Sequence, residues 1–193
     1  MKHSDLIVSR LKNSVEAFSS FMGNREKVET FSKLTDQVVA SLKKGGRLYI
    51  AGNGGSAADA QHLAAEFVCR FGRDRNPLPA EALTVDTSTI TAIGNDYGFR
   101  HIFSRQLMAK MKKEDFFLAI TTSGGSENIL EALRFCKEHG LNSAVLTGKD
   151  GGAAASLAGL CLIADGNDTG VIQELHTAIE HALCACVEKE LFP

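Results

Sequence analysis

His62 and Glu66 stand four residues apart, a spacing that puts an imidazole and a carboxylate on one helical face, one turn apart. Such a pair can carry a proton between neighbouring atoms or hold a metal ion. Just upstream, Leu48-Tyr49-Ile50-Ala51 reads as a buried strand and Gly52-Asn53-Gly54-Gly55-Ser56 as a glycine-rich turn into that helix. These glycines permit positive φ and close backbone approach, so amide groups and the positive end of the helix can face a phosphate. Ser56 adds a hydroxyl. The run misses the third glycine of the dinucleotide fingerprint, and no Gly-Lys-Ser/Thr triplet makes a nucleotide P-loop, Gly148-Lys149-Asp150 being the nearest.

The same logic repeats downstream. Asp115 to Ile120 reads as a buried strand, Thr121-Thr122-Ser123-Gly124-Gly125-Ser126 as a hydroxyl-rich turn, and Glu127 onward as a helix. Two such turns suggest one phosphorylated ligand held between them. Hydroxyls without a lysine suit a phosphate monoester bound by neutral donors, so a sugar phosphate fits better than ATP. Ser126 can equally cap its helix. A last helix, from Val171 to about Leu191, adds Gln173, Glu174, His176, Glu180 and His181, with Ile172, Leu175, Ile179 and Leu183 forming an apolar face. Gln173 and His181 lie about 80° apart around that helix and about 12 Å along it. For both to serve one metal ion, another subunit or a helix distortion is required.

The elements that must position these groups alternate. Strands are expected near 47–51, 81–85, 115–120, 142–147 and 160–164, with helices near 56–70, 88–93, 99–111, 126–139 and 153–158. Two amphipathic helices over residues 4–43, broken at Gly23-Asn24, precede the first strand. That order predicts an α/β fold: one domain over residues 1–193, with a parallel, helix-flanked sheet and ligands at the carboxyl ends of its strands. The 193 residues, 44% of them hydrophobic, are enough to bury a core. A net charge of −2 with no basic cluster argues against nucleic acid. No apolar run approaches membrane-spanning length, and the N-terminus lacks a signal-peptide core, so a cytoplasmic location and no membrane partner are expected. Five cysteines with no C-x-x-C pair argue against a disulfide framework or a cysteine zinc cluster. They are expected to be buried small apolar residues.

Taken together, several motifs resemble the sugar isomerase (SIS) domain family, within it the phosphoheptose isomerases, over nearly the whole length. They are Gly52-Asn53-Gly54-Gly55-Ser56, Ala60-Gln61-His62-Leu63-Ala64-Ala65-Glu66 with Arg70, Gly94-Asn95-Asp96-Tyr97-Gly98, Thr122-Ser123-Gly124-Gly125-Ser126, Leu146 to Gly152, and Ile172-Gln173-Glu174 followed by His181. The resemblance implies isomerisation of sedoheptulose 7-phosphate to D-glycero-D-manno-heptose 7-phosphate, for the heptose of bacterial lipopolysaccharide or capsule. It implies a homotetramer with active sites between subunits, to which the N-terminal helices would contribute. Zinc would be held by His62, Glu66, Gln173 and His181, and phosphate by Ser56, Thr121, Ser123 and Ser126, with Gly54, Gly55 and Thr122 in the same turns. Asn53, Asp96 and Arg70 would line the sugar site. Glu66 would be the carbon base and His181 its acid/base partner.

This chain departs from the family pattern at Thr121, at Gly125 and at Gly170-Val171, with Asp168 a neighbouring acid. Two rivals share the fold: a non-enzymatic relative that binds the bacterial replication initiator, and an isomerase or binder of another sugar phosphate. The former usually lacks the equivalents of Glu66 and His181, and both residues are present here.

Overall fold

The computed structural model describes residues 2–193. Two N-terminal helices, α1 (His3–Gly23) and α2 (Arg25–Lys43), meet at Asn24, whose side chain accepts the Lys27 amide and caps α2. Then follow β1 (Leu48–Ala51), α3 (Gly55–Val68), β2 (Ala80–Ala82), α4 (Thr87–Tyr97), α5 (Ser104–Lys110), β3 (Phe116–Thr121) and α6 (Glu127–Glu138). The chain continues through β4 (Asn142–Gly148), β5 (Leu160–Ala164) and α7 (Thr169–Leu191).

The five strands form one parallel sheet in the order β2-β1-β3-β4-β5. Alternate side chains feed two cores. Leu48, Ile50, Phe116, Leu118, Ile120 and Leu146 pack with Leu34 and Val38 of α2, Leu63 and Phe67 of α3, and Leu175, Ile179 and Leu183 of α7. On the opposite face Tyr49, Ala51, Phe117, Ala119 and Val145 pack with Leu107 of α5 and with Ile129, Ala132 and Leu133 of α6. Strands covered on both faces carry no polar alternation, which is why they read as apolar runs. The strand order reverses between β1 and β3. A parallel sheet opens a crevice at the carboxyl ends of such strands, and both glycine-containing turns leave the sheet there.

Several expected boundaries shift, each for a local reason. The strand expected at 81–85 is three residues long, because the chain turns at Leu83–Val85 towards Asp86, whose side chain caps α4. That cap starts the helix expected at 88–93 at Thr87, and it runs on to Tyr97, stopping at Gly98 with φ 90. The helix expected at 99–111 is broken into a 3-10 turn, Phe99–His101, and α5. The 153–158 helix reduces to a single 3-10 turn, Ala153–Ser156, entered through Gly151 and Gly152 at positive φ. The last helix begins two residues early, at Thr169, because Asp168 accepts the Gly170 and Val171 amides.

The apolar stripe of α1 points away from the sheet. Leu6, Ile7, Val8, Leu11, Val15 and Met22 are 46–69% exposed, and only Ala17 and Phe21 of this helix are buried. α4 has no buried residue. The cysteines form no disulfide: Cys136 and Cys184 are buried as expected, Cys161 and Cys186 are half-buried, and Cys69 is exposed.

Candidate active site

The glycine turn leaves β1 and delivers Ser56 into the first turn of α3, with its amide bonded to the Asn53 carbonyl. Gly54 takes the N-cap position at φ 56, where no side chain covers the first amides of the helix. At Gly55 a Cβ would meet the amide end of the Gln173 side chain, which lies against this turn. The hydroxyl turn leaves β3 in the same direction. Ser126 occupies the N-cap position of α6, yet its side chain caps no amide and instead lies 3.5 Å from the Thr121 hydroxyl. Neither helix is capped by its own N-cap side chain, and both point their N-termini to the same place, which is an arrangement that suits an anion.

A cavity of ≈ 310 Å³ occupies that place, lined by Asn53, Gly54, Gly55, Ser56, Thr121, Thr122, Ser123, Ser126, Thr169 and Gln173, with Ile120 at its floor. Every residue expected to meet phosphate is thus gathered in it. No lysine or arginine lines it, so the charge complement comes from helix dipoles, amides and hydroxyls. The Leu146–Gly152 motif supports the cavity from behind. A Cβ on Gly124, whose φ is +65, would collide with the Gly151 carbonyl, and the Ala154 amide donates to the Gly124 carbonyl at 3.0 Å.

About two turns further along α3 and α7, His62 and His181 meet, their Nε2 atoms 2.8 Å apart. At that distance one imidazole donates and the other accepts. The Oε1 atom of Glu66 lies 3.7 Å from His62 Nε2. The Phe71 ring lies against that of His181, with centroids 5.4 Å apart. Gln173 is not part of this group. It rests against Gly55 in the cavity, and α7 runs unbroken from there to His181. Two imidazoles and a carboxylate are donors of the right chemistry for zinc. Among the described residues, however, no three His, Cys, Asp or Glu side chains converge on a single point as a finished cation cage. Arg70 and Asp96 stand exposed outside the cavity, Asp96 accepting from the neighbouring Asn95.

Several supporting residues have no motif of their own. Asn128, buried outside the cavity lining, pairs with Asn53 of the cavity wall, each amide donating to the other's carbonyl oxygen at 2.8 Å. Glu188 accepts the amides of Phe71, Gly72 and Arg73 and pairs with buried Arg75, fixing the segment that carries Phe71. Burial pushes the Glu188 carboxyl up, but those donors outweigh it and hold it below the usual range. Asp168 is likewise held low by Arg10 of α1 and by the amides it caps. Asn128 could have been suspected as a polar residue in the first turn of its helix. Glu188 and Arg10 meet partners more than a hundred residues away and leave no local signal.

One residue before His181 on α7, Glu180 is 1% exposed, and neither of its oxygens has a hydrogen-bond partner. Burial, reinforced by Asp59, pushes its carboxyl up to about 9, so it is neutral at pH 7. His176 is buried with its Nε2 on the Thr147 carbonyl, and burial lowers it to about 4.

A model of the SIS domain matches residues 13–148 of this chain, more than half of it. α7, with Gln173 and His181, lies beyond the matched stretch. The phosphoheptose isomerase of Aneurinibacillus thermoaerophilus is 44% identical over 98% of this chain and 96% of its own. Phosphoheptose isomerase 2 of Campylobacter jejuni is 51% identical over 81% of this chain and 78% of its own. The solved phosphoheptose isomerase from Francisella tularensis superposes with a TM-score of 0.92 at 35% identity, covering 98% of this chain and all of that one.

Proposed function

The chain belongs to the SIS domain family, in its phosphoheptose isomerase branch, and on that premise we propose that it interconverts sedoheptulose 7-phosphate and D-glycero-D-manno-heptose 7-phosphate. The observation that carries this reading is the convergence of two helix N-termini, neither covered by its N-cap side chain, on one hydroxyl-lined cavity, with an imidazole and carboxylate group farther along α3 and α7. Along the α3 axis that group lies about 9 Å from Ser56. A phosphate held at the cavity therefore leaves a sugar chain of several carbons room to present its carbonyl end to Glu66 and His181.

Moving a carbonyl between C2 and C1 takes a proton from one carbon to the other and a second proton between their oxygens, through an enediol. Glu66, the carboxylate of the group, takes the carbon-bound proton and returns it to the neighbouring carbon. His181, with one nitrogen on His62, exchanges the proton of the oxygens. Zinc would be held by His62, Glu66 and His181, and would supply polarisation of the two oxygens; because α7 runs unbroken from Gln173 to His181, a Gln173 donor would come from another subunit. Asn53, Arg70 and Asp96 complete the sugar site in a homotetramer whose active sites lie between subunits. The exposed stripe of α1 supports that assembly, since a large apolar surface on one chain calls for a partner. The enzyme would act in the cytoplasm to supply heptose for lipopolysaccharide or capsule.

The deciding experiment incubates metal-quantified protein with sedoheptulose 7-phosphate, follows the aldose phosphate, and repeats the assay after chelation. Turnover lost on chelation and restored by zinc is expected. A folded oligomer inactive on every ketose phosphate would point instead to the non-enzymatic relative that binds the replication initiator. Turnover of a different ketose phosphate alone would move the substrate but keep the reaction.

A further inference from the structure

The two turns of the phosphate cavity are separate pieces of chain. The β1–β3 ladder ends with Ala51 opposite Ala119, and beyond that rung no backbone hydrogen bond joins residues 52–56 to residues 121–128 among the described residues. One side-chain bridge does. Asn53 Nδ2 donates to Asn128 Oδ1 and Asn128 Nδ2 donates to Asn53 Oδ1, both at 2.8 Å, while Asn128 Oδ1 also accepts the Ile129 amide at 3.0 Å. Asn128 is 3% exposed, so its amide is removed from water and its hydrogen bonds are not traded against solvent. The Asn53 carbonyl accepts the Ser56 amide, which ties the bridge to the start of α3.

We propose that Asn128 is a positioning residue for phosphate, acting through Asn53 to hold the glycine turn and the hydroxyl turn at the spacing that one phosphate spans. The proposal rests on the reading of this cavity as a phosphate site. A ligand that must first order two independent turns binds more weakly by the cost of ordering them, and a bridge made in the free protein removes that cost. It also reassigns Asn53. One N–H and the carbonyl oxygen of its side chain are engaged by Asn128, so Asn53 serves the cavity chiefly by shaping it.

The test is Asn128→Ala, with binding of inorganic phosphate measured by calorimetry, KM and kcat for the sugar phosphate, and the melting temperature. Asn128→Ser keeps a hydroxyl near the Ile129 amide but cannot span to Asn53, and replaces the alanine variant if that one does not fold. Phosphate Kd and KM should both rise about tenfold or more, with kcat within about threefold of the wild type. In the Asn53→Ala, Asn128→Ala double variant the loss should be no larger than in Asn128→Ala alone, because the bridge is broken once. A variant with a lowered melting temperature but phosphate Kd and KM within twofold of the wild type overturns the proposal and leaves Asn128 a structural residue. Wild-type protein that binds phosphate but isomerises nothing sinks the functional reading and leaves the bridge standing. Wild-type protein that binds no phosphate sinks both.

Discussion

At the scale of single residues, the chemistry rests on groups whose surroundings differ sharply. His62, Glu66 and His181 lie where solvent reaches them, whereas Glu180 and His176, on the same helix as His181, are sealed into the interior. Glu66→Gln keeps the size of the side chain and removes its ability to take a proton. Turnover should fall by about 10²–10⁴-fold with phosphate binding unchanged, as single-turnover kinetics and phosphate calorimetry would show. Near-normal turnover would end its assignment as the carbon base. The i,i+4 spacing made His62 and Glu66 visible in the sequence. His181 could be singled out only as one of several polar groups on the last helix, because its contact with His62 crosses 119 residues.

At the scale of elements, the cavity depends on backbone more than on side chains. Two strand-turn-helix units leave adjacent strands, and at Gly124 a Cβ would meet the backbone of the Gly151-Gly152 loop. Gly124→Ala tests this. The new methyl would press on the Gly151 carbonyl, and φ of +65 is unfavourable for alanine, so a loss of roughly 2 kcal/mol or more is expected together with weaker phosphate binding. Equilibrium unfolding and phosphate titration would read both effects. A variant as stable as the wild type would mean that the hydroxyl turn is not braced by the Gly151-Gly152 loop. The glycine pattern alone marked the turn, but not that the Gly148–Gly152 motif braces its neighbour from behind.

At the scale of the whole molecule, two expectations concern pH and assembly. A group with a raised folded pKa binds its proton more tightly when folded, so its contribution to stability is present below the unfolded pKa and lost as pH rises. Glu180, raised from 4.5 to about 9, acts in that direction. His176, lowered from 6.5 to about 4, acts oppositely, since only the unfolded chain takes up its proton between those values. The two oppose one another between pH 4.5 and 6.5, and Glu180 acts alone from there to about 9. Stability should therefore fall across pH 6.5–9, by at most about 1.4 kcal/mol per pH unit, and Glu180→Gln should flatten the fall. Denaturant titrations at several pH values would show it, and a flat wild-type curve would refute the buried, neutral state of Glu180. For assembly, Leu11→Glu with Val15→Glu should dissociate the oligomer in sedimentation velocity, because both side chains project from the exposed stripe of α1. An unchanged oligomer would remove α1 from the interface.

By itself the sequence determined the class of the fold and pointed to the kind of ligand. Apolar runs spaced by helices call for a parallel sheet, and glycine and hydroxyl turns after two such runs suit an anion, because these signals are local and set by backbone sterics. Their ends were less legible. The short β2 and the broken 99–111 segment follow from the cap at Asp86 and from Gly98 at φ 90, which compete with periodicity over one or two residues. Only the tertiary structure decided that β1 and β3 are neighbours, so that the two turns share one cavity and Asn53 finds Asn128. It likewise decided that His181 meets His62, that Gln173 stays at Gly55, and that the apolar stripe of α1 faces outward. Periodicity shows that a helix has an apolar face. Which surface that face meets depends on how distant segments pack.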